Sequence, residues 1–514
     1  MSTRKLILLT SVLVGALLLP AHASAEPKAL TPPALPGVAP LPGPVATPSK
    51  PAANMGILKA KPDIGVPGTA FNLSGGGLPA GKDVSIVWGT ANVTWVVDPR
   101  PDSVDYLGRK ADKLAVVIAT TKTDSAGSFS LRLKAPRDFG GIHDVYAVVD
   151  GVQVAKGGFL IARWAKMTPR SGPIGTMITL TYGGLGSSLY EGGAATYYDN
   201  KYIGAVMANW TRGVATVKFR AAGPVGRHVV QIADAISVDY LNIPQSPIPW
   251  ALGSRFTFTV TRDAGLPRQQ IDWPVNVAPT LDARTTLSTT GLSVGASASA
   301  RLSSTSGPIL SKVDVSASGL SPGGVDLVWS TVVGNRVNCT GTCWSFVSVP
   351  LGHATAGADG TLTGRVSIPD GLGGWHVVQL LQGDKVKAQV PYFVKRSVAG
   401  ISSLRLKAGQ RFTIHLKGVG WTQLDNTIAV DYDNSYVGYG CGFNSNGDVV
   451  LNLVATGAPG THLIDMYPLL YTQQPSYANT PYGMVPVLTY AKDLPGLALG
   501  YQLPAIRLAI EVVK

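Results

Sequence analysis

Charge and sulfur are both scarce in this 514-residue chain: charged residues make up 14%, with 3 cysteines, 7 methionines and 7 histidines. Three cysteines are too few for a disulfide-dependent small scaffold, and no Cys/His grouping has the spacing of a zinc site. Cys339 and Cys343, separated by Thr340-Gly341-Thr342, are expected to bridge locally in an oxidising compartment; pairing of either with Cys441 stays open from sequence. Past residue 25 no stretch approaches the roughly 20 apolar residues that cross a bilayer, and no Asp-x-Asp-x-Asp loop offers itself to calcium. No long helical pattern appears. The basic residues are scattered, without a Lys/Arg cluster interleaved with aromatics, which argues against nucleic acid.

What is plentiful is turn and strand chemistry: 60 glycines and 37 prolines punctuate segments rich in Val, Thr, Tyr and Trp. Arg4 and Lys5, the apolar run Leu6 to Leu19 and Ala23-Ser24-Ala25 have the three regions of a secretory leader, expected to be cut after Ala25. That places the protein outside the cytoplasm: secreted, at the cell surface, or periplasmic. The formal charge is +13, and about +11 without Arg4 and Lys5, a balance that favours an anionic wall or matrix polymer, or a surface protein, as partner.

The chain is written twice. Tyr198-Asp199-Asn200-Lys201-Tyr202-Ile203-Gly204 returns 234 residues later as Tyr432-Asp433-Asn434-Ser435-Tyr436-Val437-Gly438, and Gly226-Arg227-His228-Val229 returns as Gly460-Thr461-His462-Leu463. Val87-Trp88-Gly89-Thr90 resembles Val328-Trp329-Ser330-Thr331, and Gly141-Ile142-His143 resembles Gly374-Trp375-His376. The order is A-B-A′-B′, a duplicated two-module unit. We place a signal peptide at 1–25, a Pro/Ala-rich extended linker at 26–54, module A at 55–163, B at 164–263, a linker at 264–300, A′ at 301–395, B′ at 396–492 and a C-terminal extension or strand at 493–514.

Within module A, Pro67-Gly68-Thr69, alternating Phe71 to Ser74, Gly75 to Gly81, Val84 to Trp88, Thr123 to Phe129 and Gly141 to Val145 follow in an order that resembles bacterial surface immunoglobulin-like modules of the IPT/TIG type. The resemblance implies antiparallel β-sandwiches: an all-β chain of four tandem immunoglobulin-like sandwiches. It implies a spacer, adhesin or enzyme appendage as the role, and it carries over no catalytic residue. The chain departs from the pattern between Trp88 and Thr123 and between Trp329 and Thr355, where insertions stand in place of a short hairpin; long loops are expected there and over Ser237 to Ser254 and Pro468 to Gly483.

Four of the histidines, His143, His228, His376 and His462, fall at one equivalent place, each after a glycine-x strand start. Fourfold recurrence points to packing at the sandwich end with a hydrogen bond to a loop carbonyl. The sharpest local signal is the Tyr-Asp-Asn hairpin. Tyr198, Asp199, Tyr202, Tyr432, Asp433 and Tyr436, with Trp250, Tyr477 and Tyr482 from the loops, are candidate ligand contacts of the kind that grip sugars by stacking and hydroxyl bonds. Against it stands an Asx-type turn whose tyrosines fill cross-strand positions. Gly319-Leu320-Ser321-Pro322-Gly323 matches a nucleophile elbow in letters alone, being the A′ copy of a turn between strands.

These features predict a non-catalytic extracellular protein with a structural or adhesive role and without cofactor or metal. The alternatives are a carbohydrate-binding array, which needs the hairpin aromatics exposed, and a glycan hydrolase with two acids converging between modules. Self-assembly through an unpaired strand near Ile506 to Val513 is a further expectation.

Overall fold

The computed structural model describes residues 28–30, 39–99, 104–188, 192–233, 245, 254–274, 297–334, 344–442, 444–471, 484–488 and 493–514. Period-two alternation accounts for its strands. In Lys312–Ser318 exposed and buried positions alternate, with Val313, Val315 and Ala317 turned inward. Arg411–Lys417 does the same with Phe412, Ile414 and Leu416.

Each strand with one apolar face needs a second sheet to cover it, and four three-stranded sheets each find one. The first, Lys59–Lys61, Ala70–Gly75 and Phe129–Lys134, packs on a sheet built from Asp83–Pro99, Val104–Lys122, Gly141–Val149 and Val152–Ile161. The second, Trp164–Thr168, Met177–Gly183 and Val214–Arg220, faces Gly193–Tyr198, Lys201–Met207, Gly226–Ala233 and Arg255–Val260. The third, Ser299–Leu302, Lys312–Ser318 and Leu362–Ser367, faces Gly323–Gly334, Trp344–Ala356, Gly374–Gln382 and Lys385–Val394. The fourth, Ser397–Ile401, Arg411–Lys417 and Val449–Val454, faces Thr427–Tyr432, Ser435–Cys441, Gly460–Tyr471 and Ala505–Val513. In all four a short segment crosses over to run parallel to the last strand: Ile64–Gly65, Ser171–Gly172, Ser306–Gly307 and Arg405–Lys407. A first strand split between two antiparallel sheets is the immunoglobulin-like arrangement.

The structure corrects several expectations. Ala505–Val513 is the last strand of the fourth pair, not an extension with a free edge: it pairs with Gly460–Tyr471 on one side and with Arg405–Lys407 and Gln270–Asp272 on the other. The described end of the Pro/Ala-rich stretch is no free spacer either. Lys50–Ile57 runs parallel to Val152–Ile161, and Pro44 and Ala46 bond Val117 and Ala115, covering the edge of Val104–Lys122. The insertion after Trp88 is a hairpin of 17- and 19-residue strands rather than a loop. Its arm carries an alternation, Ala91, Val93, Trp95 and Val97 buried at every second position, that marks a strand. The insertion after Trp329 likewise continues both strands, with Val332 and Trp344 buried.

Nor are the pairs strung out as beads. Between the first and second, Gly140 N–H donates to Leu185 O at 2.8 Å, and between the third and fourth Gly373 N–H donates to Val419 O at 3.0 Å; the acceptor residues are themselves anchored within their own pairs, Leu185 N–H donating to Gly213 O and Val419 N–H to Gly447 O, both at 3.1 Å. Glycine is required at these joints: a Cβ on Gly140 would meet Gly184 O at 1.8 Å, and one on Gly373 would meet Gly418 O at 1.8 Å. The two copies thus share one joint. They also pack on each other, because a single apolar cluster takes in Trp95 and Tyr106, the second pair, and Ala429, Tyr467, Leu497 and Ala505.

Candidate functional site

Both Tyr-Asp-Asn hairpins turn on two left-handed residues, Asp199 and Asn200 (φ 50° and 62°) and Asp433 and Asn434 (φ 48° and 58°). This is the two-residue turn whose twist matches its strands, and Asp and Asn tolerate it best after glycine. The aspartates do a second job. Asp199 accepts Val229 N–H at 2.8 Å and lies 2.5 Å from His228 Nδ1; Asp433 accepts Leu463 N–H at 2.9 Å and lies 2.6 Å from His462 Nδ1.

The tyrosines before them face inward, so Tyr198 and Tyr432 are not part of an exposed sugar platform. Tyr198 is 1% exposed and donates its hydroxyl to Ala222 O at 2.9 Å; Tyr432 is 8% exposed and donates to Thr456 O at 2.8 Å. A ring enclosed in its own core has no free face for a ligand. Each stacks instead on the following histidine, Tyr198 on His228 at 5.2 Å and Tyr432 on His462 at 5.7 Å. Trp88 stacks on His143 at 4.5 Å and Trp329 on His376 at 4.7 Å in the same way. In every pair the histidine Nε2 meets the carbonyl four residues back, at Phe139, Pro224, Leu372 and Ala458, 2.7 to 3.0 Å away. The packed ring with a loop-carbonyl bond is therefore present in all four pairs.

In two of the histidines, His376 and His462, the pKa moves in opposite directions. His376 is fully enclosed, and burial pushes its pKa down to about 4 against the carbonyl bonds that raise it. At His462 burial also pushes downward and is the largest single influence, but the hydrogen bond and charge of Asp433 and the Ala458 carbonyl hold the pKa above the ordinary value.

The hairpins meet. Tyr202 and Tyr436, both half-buried, form an edge-to-face pair with centroids 6.4 Å apart, and Asn434 Nδ2 donates to Arg220 O at 2.8 Å. Around this contact lies a buried polar seam. Arg220, from the second pair, donates Nε to Asp465 Oδ1 at 2.9 Å and Nη2 to Leu508 O, both in the fourth pair. Arg507, from the fourth pair, donates Nη1 to Asp465 Oδ2 at 3.1 Å, Nε to Asp272, and Nη2 back to Lys218 O of the second pair at 3.1 Å. Two guanidinium groups and the carboxylates of Asp465 and Asp272 balance. Asp431, directly across the strand from Asp465 and wholly buried, has no hydrogen-bond partner on either oxygen among the described residues. Burial, then the charge of Asp465, push its pKa well up against the pull of Arg507, which favours the neutral carboxyl.

Of the expected contacts, the structure brings Tyr202 and Tyr436 together and gives Tyr198, Asp199, Tyr432 and Asp433 internal partners. Trp250, Tyr477, Tyr482 and the Cys339 and Cys343 bridge lie outside the described residues. Asp431 and Asp465 are two adjacent acids between repeats, but they are sealed in the seam and Asp465 is held by two arginines, which is not a cleft that could receive a glycosidic bond. Among the described residues no group of three or more His, Cys, Asp or Glu could hold a metal ion, and no helix is long and apolar enough to cross a membrane. The seam is what reading by motif missed. Its signal was divergence at matched positions: Tyr197 and Gln231 in the first copy stand opposite Asp431 and Asp465 in the second.

No family model matches the chain, and no curated protein matches it. Among solved structures it is similar to bacterial invasin, an integrin-binding protein, at 13% identity and a TM-score of 0.19, covering 89% of this chain and 79% of that one. It is similar to the ICAM-5 D1–D4 ectodomain fragment at 9% identity and a TM-score of 0.17, covering 90% and 100%. A Salmonella alpha-2-macroglobulin matches at 9% identity and a TM-score of 0.17, this chain spanning 30% of its length.

Proposed function

We propose that this chain is a secreted, non-catalytic extracellular protein built from immunoglobulin-like modules related to the IPT/TIG type, with a structural or adhesive role. The observation that carries the reading is the seam between the two copies. Its two arginines hold repeat against repeat, Arg220 on Asp465 and Arg507 on Lys218 O, which stiffens a scaffold. A stiff body presents its outer faces at fixed spacing, and the duplication doubles any contact made by one copy. The test is retention of the protein lacking residues 1–25 on bacterial cell walls, insoluble polysaccharides and matrix proteins, with soluble sugar assayed in the same tubes. Retention without release of sugar supports the reading; catalytic release of reducing ends overturns it.

A further inference from the structure

The outward positions of the four three-stranded sheets differ in charge. On the third sheet Arg301 and Lys312 stand beside the ion pair of Arg365 with Asp314, and on the fourth Arg411 stands with Lys417, which is held by Asp370 and Asp448, so an acid shares each of these faces with its cations. On the second, Lys166 and Lys218 stand among Thr168, Thr179, Thr181 and Thr216. The first is different. Its outward positions are Lys59 and Lys61 on one edge strand, Ala70, Asn72 and Ser74 in the middle, and Ser130, Arg132 and Lys134 on the other edge, while Phe71, Leu73, Leu131 and Leu133 pack inward. Lys59, Lys61, Arg132 and Lys134 are all exposed, and among the described residues none of them has an ion-pair partner. No Asp or Glu occupies an outward position of these three strands.

The register fixes the spacing. Lys61, Asn72 and Arg132 form one row across the sheet, and Lys59, Ser74 and Ser130 the next. Cations two residues apart along a strand are separated by about 7 Å, and those on the two edge strands by about 9.5 Å. Four point charges on a flat, open face, interleaved with an amide and hydroxyls, suit an extended chain that carries an anion every few ångström. No ring occupies an outward position, so neither stacked bases nor an apolar anchor of a folded protein would find a partner here.

We infer that the outer face of the first three-stranded sheet is a docking surface for an extended acidic polysaccharide, gripped by Lys59, Lys61, Arg132 and Lys134 with Asn72, Ser74 and Ser130 bonding its hydroxyls. The inference rests on the extracellular adhesive reading and names the partner for one face of it.

The test uses the protein lacking residues 1–25 on immobilised polygalacturonate, with neutral dextran and single-stranded DNA as comparisons. One variant combines Lys59→Gln, Lys61→Gln, Arg132→Gln and Lys134→Gln. A second removes the same charge elsewhere on exposed strand positions, through Arg301→Gln, Lys312→Gln, Lys407→Gln and Arg411→Gln. The expected result is salt-sensitive binding to polygalacturonate that weakens about ten-fold or more in the first variant and less than about two-fold in the second. Equal weakening in both variants, or in neither, overturns the assignment of the face. Tighter binding to DNA than to polygalacturonate, lost in the first variant, overturns the polysaccharide as partner. Retention on cell walls or matrix proteins undiminished by the first variant would overturn this proposal while leaving the adhesive reading standing.

Discussion

Arg220 and Asp465 stand 245 residues apart in the chain and form a buried ion pair, with side chains 4% and 3% exposed. Neither copy of the repeat makes this pair alone; it exists because the second sheet pair packs on the fourth. Taking two charges out of water is costly, and removing one partner leaves the other stranded. Arg220→Met is therefore expected to destabilise the protein by about 3–5 kcal/mol, measured as a fall in the urea midpoint.

The two neighbouring acids of the seam should respond in opposite directions. Asp465→Asn removes the shared acceptor of Arg220 and Arg507 and lowers stability. Burial and the charge of Asp465 push the folded pKa of Asp431 well above its unfolded value. A raised folded pKa means that its stability is present below the unfolded value and lost as pH rises through the folded one. Asp431→Asn abolishes that loss, so it is expected to raise the neutral-pH urea midpoint, each pKa unit being worth about 1.4 kcal/mol. A lowered midpoint would contradict the raised pKa.

Much of this architecture is legible in sequence, and the reasons are local. Alternation with glycine turns marks strands such as Lys312–Ser318, and fourfold recurrence identifies His143, His228, His376 and His462 as packing residues. What motif reading misses is decided at a distance. Tyr198 and Tyr432 look like surface residues because a hairpin places no constraint on which face is covered, and their burial depends on His228 and His462 some 30 residues on. Gln270–Asp272 lies in a stretch with linker composition, yet pairs with Ala505–Val513 more than 230 positions away.

The equivalent histidines His376 and His462 are expected to drive stability in opposite directions with pH. The folded pKa of His376 is depressed to about 4, so between about pH 6.5 and 4 the unfolded chain binds a proton that the fold refuses. That penalty grows on acidification to about 3 kcal/mol, and His376→Gln should flatten it. His462, its pKa raised beside Asp433, stabilises below the ordinary histidine range, and the contribution fades as pH rises through its folded value. Titration of the two imidazoles by NMR, with Asp433→Asn lowering the second alone, checks both signs.

Removing a buried tyrosine should cost stability rather than binding. Tyr198→Ala and Tyr432→Ala each empty a ring-sized volume and are expected to cost about 3–5 kcal/mol, while Tyr198→Phe loses only the bond to Ala222 O, at about 1 kcal/mol. Glycan retention by Tyr198→Phe unchanged from the parent, beside a lowered melting temperature, is the expected pattern.

At the turns, Asn200→Gly keeps the left-handed backbone without strain and is expected to change stability by less than about 0.5 kcal/mol. Asp199→Ala strips Val229 N–H of its acceptor and puts a less tolerant residue at φ 50°, for a loss of about 1–3 kcal/mol in the same thermal melt.

The central claim, that the two copies of the repeat are knitted into one body through the seam, is tested most directly by hydrogen exchange with mass spectrometry along a urea series. Peptides covering Val214–Arg220 and Gly460–Tyr471 report the two sides of the contact. One shared midpoint, shifted together by Asp465→Asn, is the predicted result. Two separate midpoints, with the variant moving only the second, would contradict it.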